Sequence, residues 1–147
     1  MLFGLGAFCF LIGHCLYIGA AFSLRMPQSA YAALGPASIP AAAALCTAVC
    51  AGAFLALCKK LDKKLRAPCL VYIAGIAAMA ATLCYSAAGQ PTLPRLLAAA
   101  GGLLFSASDF TLAGSALGII RGRRRGLWVM ASYIAAQTLI AVGFAFI

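Results

Sequence analysis

The stretch Gly101-Gly102-Leu103-Leu104-Phe105-Ser106-Ala107-Ser108-Asp109-Phe110-Thr111-Leu112-Ala113 decides the fold. It lies inside an apolar run, 94–120, long enough to cross a bilayer as a helix. Asp109 in its middle is one of only two acidic residues in the chain, and the other, Asp62, sits in a lysine-rich loop. A carboxyl group at membrane depth is costly unless it is protonated, paired or facing a wet cavity, so it is a functional candidate. The plainer reading is that Asp109 joins helices by hydrogen bonding. Ser106, Ser108, Thr111 and Ser115 crowd the same turns and favour function.

Outward from that stretch the composition agrees. The chain has 147 residues, 65% of them hydrophobic, which excludes disorder and an ordinary soluble domain. One membrane-embedded domain over 1–147 is expected, with only short loops between apolar runs. The net charge of +9 raises the question of nucleic acid. The cations fall between apolar segments and form no basic face with interleaved aromatics, so no nucleic-acid partner is expected. The seven cysteines all lie in or beside apolar segments. Cys46 and Cys50 share a helix face, but neither histidine nor a second pair accompanies them. No metal site, no cofactor and no disulfide framework is expected, and the cysteines serve as packing residues.

An all-α, polytopic transmembrane helix bundle of about five spans follows, at 2–23, 40–58, 68–88, 94–120 and 127–147. The first run lacks the basic start and the cleavage site of a signal peptide. The segment 25–39, with Pro27, Gly35 and Pro36, is a linker. Pro68 and Pro94 are expected in opening helical turns, and no proline in mid-helix. The Gly114-x-x-x-Gly118 spacing suits close helix packing within the chain. Alternate loops hold nine basic residues, in the blocks 59–66 and 121–125, against Arg25 and Arg95 on the other side. By the positive-inside rule the N-terminus is cytoplasmic and the C-terminus outside.

With that topology His14 and Asp109 both fall near the bilayer midplane. Tyr17 shares a face with His14, Phe105 with Asp109, and Tyr133 with Gln137. Together they are expected to line one polar cavity. Asp109 is then a candidate general acid, and His14 a proton shuttle or an orienting partner. For His14, Tyr133 and Gln137 a helix-bridging hydrogen bond is the competing reading. The chain holds no G-x-S-x-G elbow, HExxH, P-loop or dinucleotide fingerprint.

Four elements in order carry a resemblance: Gly13-His14-Cys15-Leu16-Tyr17; Leu65-Arg66-Ala67-Pro68-Cys69-Leu70-Val71-Tyr72 with Met79; Gly102-Leu103-Leu104-Phe105-Ser106-Ala107-Ser108-Asp109; and Tyr133-Ile134-Ala135-Ala136-Gln137-Thr138-Leu139-Ile140. Over nearly the whole chain the pattern resembles the YhhN-type lysoplasmalogenase family. The resemblance implies an integral membrane hydrolase, in the inner (plasma) membrane of a bacterium. Its substrate would be a lysophospholipid taken from membrane lipid, whose vinyl ether bond is cleaved to a fatty aldehyde and a glycerophospho-head-group. Asp109 and His14 would be catalytic, with Tyr17, Tyr72, Phe105, Ser108, Tyr133 and Gln137 binding substrate. The family pattern also has about three helices and a Gly-Asp element ahead of the His-x-x-Tyr segment. The chain is accordingly expected to be either a piece of a longer protein or a shortened homologue. The rival expectation is a small transporter or proton-coupled carrier using Asp109.

Overall fold

The computed structural model describes residues 2–23, 35 and 38–147, without the side chains of 2–7, 39, 40, 42, 43, 46, 47 and 50. The Cys46–Cys50 face and most of the expected linker, with Arg25, Pro27 and Pro36, lie outside the described residues. Five helices and no strand are present among those described: α1 (Leu2–Ser23), α2 (Ser38–Cys58), α3 (Lys63–Gly89), α4 (Leu93–Ala116) and α5 (Arg125–Ala145). Helices α3, α4 and α5 are long and apolar enough to cross a membrane. Helices α1 and α2, of 22 and 21 residues, match that length. Large apolar side chains, among them Phe22, Leu45, Leu127 and Trp128, are exposed on the outside of the bundle. In water such a surface would drive association; in a bilayer it meets lipid.

Helix α4 is the central element. It packs most extensively on α5 and then on α3, and α3 in turn carries α1 and α2 on its other sides. Small residues make this possible. A Cβ on Gly101 would stand 2.8 Å from the backbone oxygen of Ala136, and one on Gly143 would stand 2.8 Å from the carbonyl of Pro94. The α4 and α5 backbones therefore touch where lipid-phase association is strongest, through close packing rather than exclusion of water. Met79, Phe105, Ala136 and Ile140 fill the space between α3, α4 and α5.

Two helix ends depart from expectation. Helix α4 stops at Ala116 rather than continuing to Ile120, because Gly118 turns left-handed at φ 69°. Its N–H donates to the Ser115 carbonyl at 3.2 Å while the Ile119 N–H reaches Gly114 at 2.8 Å, a Schellman cap. Ile120 folds back to cover Gly114, so the Gly114/Gly118 pair ends a helix instead of packing two together. Pro68 lies inside α3, which begins at Lys63, and not in its opening turn. The ring removes the bond to the Lys64 carbonyl, a group close enough to the helix end for water to satisfy it.

Arg95 also moves. Expected in a loop, it is the third residue of α4 and only 5% exposed. Its guanidinium donates to the Ser86 hydroxyl in the last turn of α3. There the cation meets the negative end of the α3 dipole, which explains how it is buried without a carboxylate.

Candidate functional site

Asp109 projects from α4 toward α3 and is 8% exposed. The Tyr72 hydroxyl donates to its Oδ2 at 2.6 Å, within the normal range for an O–H to oxygen bond. The remaining hydroxyls of the same turns do not join them. Ser106 and Thr111 bond back to the carbonyls of Gly102 and Ala107, one turn earlier in their own helix. Ser108 donates across to the Val129 carbonyl of α5 at 3.0 Å and lines neither of the cavities below. The polar cluster seen in the sequence thus resolves into one functional-looking pair, the satisfied hydroxyls of Ser106, Ser108 and Thr111, and Ser115, whose buried Oγ has no hydrogen-bond partner.

His14 comes from α1 and is 1% exposed. Its Nδ1 lies against the Phe10 carbonyl. A carbonyl only accepts, so Nδ1 carries the hydrogen, and in the neutral ring Nε2 is left as an acceptor. Nε2 is buried and has no hydrogen-bond partner. The imidazole stands edge-on to Tyr72 at 5.8 Å and to Phe105 at 5.1 Å between ring centroids. His14, Tyr72 and Asp109 thus form a continuous wall across α1, α3 and α4.

That wall separates two cavities, where a single one was expected. One, about 410 Å³, lies between α1 and α5 and is lined by Phe10, His14, Tyr17, Phe105, Tyr133 and Gln137. Tyr17 donates to Gln137 across its mouth and stacks on Phe144 with planes 5° apart. Helices α1 and α5 make little backbone contact, so side-chain contacts close that side. The second, about 840 Å³, is a largely apolar groove between α2 and the α3–α4 pair, with Tyr72, Asp109 and Ser106 in its wall. Both volumes fall in the range of small-molecule sites.

Every candidate residue has a definite place. Tyr17, Phe105, Tyr133, Gln137 and His14 meet at the smaller cavity, Tyr72 and Asp109 at the groove, and Ser108 is turned to α5. Phe10 went unremarked in the sequence. It holds the His14 tautomer through its carbonyl and packs edge-on to Tyr133 at 5.8 Å. No polar signature marks such a residue, only its spacing of one helical turn before His14. Among the described side chains Cys15 is exposed and Cys9, also exposed, lines the smaller cavity, whereas Cys69 and Cys84 are partly buried against the groove.

No curated protein and no solved structure matches the chain significantly. The sequence does match the YhhN family over residues 1–144, nearly its entire length. With its bundle of long apolar helices, the chain is an integral membrane protein that belongs to the YhhN family.

Proposed function

We propose that the chain is a lysoplasmalogenase-type hydrolase that cleaves the vinyl ether bond of lysoplasmalogens by acid–base catalysis. The observation that carries this reading is the Tyr72–Asp109 pair, set in the wall of a membrane-length apolar groove with His14 behind it. The chemistry needs a proton delivered to carbon. Asp109 protonates the outer alkenyl carbon, the electrons of the double bond shift, and an oxocarbenium ion forms at the carbon bonded to oxygen. Water adds to that carbon and loses a proton to the waiting base. The resulting hemiacetal collapses to a fatty aldehyde and the free hydroxyl of the glycerophospho-head-group.

Each group has a part suited to its contacts. The Tyr72 hydroxyl holds Oδ2, which leaves the other carboxyl oxygen to carry and deliver the proton. His14 Nε2, an unpartnered acceptor, takes the proton released by water. Tyr17, Tyr133, Gln137 and Phe105 line the space from which water approaches. Ser108, bonded to the α5 backbone, steadies the helix that presents Asp109. The basic loops on one side of the membrane make that side cytoplasmic, with the N-terminus inside, the C-terminus outside and a bacterial plasma membrane as the setting.

The test is product analysis. Purified chain in detergent is given a lysoplasmalogen and, separately, the saturated alkyl ether of the same length. Aldehyde from the vinyl ether alone supports the reading. A folded chain that releases none, yet moves protons across a vesicle membrane, is a carrier instead.

A further inference from the structure

The groove has a direction. On α3 its lining runs from Cys69 through Tyr72 to Tyr85 and Ala88, and on α2 from Leu57 back to Ser38. Asp109 and Tyr72 are not at its centre. From Tyr72 to Tyr85 the helix rises roughly 20 Å, whereas from Tyr72 to Cys69 it descends only about 5 Å. The long arm is almost wholly apolar, lined by Ile76, Ala77, Ala80 and Ala81 together with Leu45 and Val49. The hydrocarbon of one leaflet is about 15 Å deep, so the long arm accepts a complete lipid chain. The short arm opens under the α2–α3 turn, where Lys59, Lys60, Lys63 and Lys64 are all exposed with Asp62 as the sole acid among them.

We infer that the groove between α2 and α3–α4 binds a single-chain phospholipid in one orientation. Its hydrocarbon chain lies along the long arm toward Tyr85 and Ser38, and its head-group phosphate lies under the lysines of the α2–α3 turn. This rests on Asp109 being the acid, because only then must the bond beside the glycerol sit at the Tyr72–Asp109 pair. Charge complementarity and arm length fix the direction together. A phosphate in the long arm would lie among alanines and aliphatics, and Arg95, the described cation at that end, is buried and already bonded to Ser86. The lipid accordingly enters from the leaflet on the side of the basic loops.

The test uses a probe that cannot be turned over: an alkyl-ether lysophosphatidylcholine with a diazirine at the chain terminus, bound to the full chain in nanodiscs and photolysed. Labelled peptides are expected from the Cys84–Ala88 end of α3 and the Ser38–Leu45 end of α2. Gly52→Phe gives a second handle, because Gly52 lines the groove with nothing within 4 Å of its added Cβ. A ring there displaces several methylenes of the chain, and at roughly fourfold per methylene labelling should fall by more than about tenfold. Labels clustered near Leu57 and Cys69 reverse the orientation and overturn the inference. So do labels spread over outer residues such as Phe22 and Trp128, or labelling indifferent to Gly52→Phe. End-of-chain labelling without aldehyde release from a vinyl ether leaves the groove standing and removes the enzyme. Aldehyde release with labels elsewhere does the reverse.

Discussion

Tyr72 and His14 touch the same neighbourhood, but substitution separates their duties. Tyr72→Phe keeps the ring against His14 and removes only the O–H held by Asp109. A hydrogen bond to a carboxyl group is worth about 1–3 kcal/mol, so turnover should fall about tenfold or more, and the thermal midpoint should also drop because the buried carboxyl loses that donor. His14→Phe does something different. Nε2 is a buried acceptor with no donor, and removing it removes a desolvation cost of about 1–3 kcal/mol. The variant should melt no lower than the parent in detergent, and higher if the ring fits, while aldehyde release is lost. A stable variant with full activity would take His14 out of the mechanism. Asp109 was conspicuous in the sequence because an acid inside an apolar run admits few explanations. Its partner was not, since Tyr72 lies 37 residues away and the pairing depends on how α3 meets α4.

At the scale of elements, the α4–α5 seam is the part least tolerant of bulk. Gly101→Val places a branched side chain 2.8 Å from the Ala136 carbonyl and 2.9 Å from the Ile140 nitrogen, both backbone atoms that cannot step aside. A loss of about 1–3 kcal/mol is expected, read as an earlier transition in a denaturing-detergent titration. Gly19→Ala is the matched control. Its Cβ meets nothing within 4 Å, and the helix should gain up to about 1 kcal/mol. The five helices themselves were legible, because runs of apolar residues closed by basic or proline-rich turns leave little choice of structure. Their ends were less so. Hydrophobicity continues through Leu117, Ile119 and Ile120, and only the backbone freedom of Gly118 stops α4 before them. Likewise Arg95 looked like a loop cation until the end of α3 supplied it with Ser86.

For the molecule as a whole, the two basic loops make a claim about orientation. A reporter active only in the cytoplasm should be silent when fused after Ile147 and active when inserted in the Lys59–Lys64 turn. The reverse pattern would put the groove's short arm, and the lipid it takes, in the opposite leaflet. The division of the interior into two cavities was not legible at all. Helical periodicity assigns Tyr17, Phe105, Tyr133 and Gln137 to faces, but only the packed bundle shows His14 and Tyr72 standing edge to edge as a wall between spaces. That wall gives the proposed reaction its arrangement, an acid on the lipid side and an acceptor on the other. The most direct test of it is aldehyde release from a synthetic lysoplasmalogen by the purified chain beside its Asp109→Asn variant, an amide of the same shape that cannot deliver the proton. Loss of about 100-fold or more in the variant, with an unchanged melting profile, is the predicted result; equal release from both proteins would contradict it.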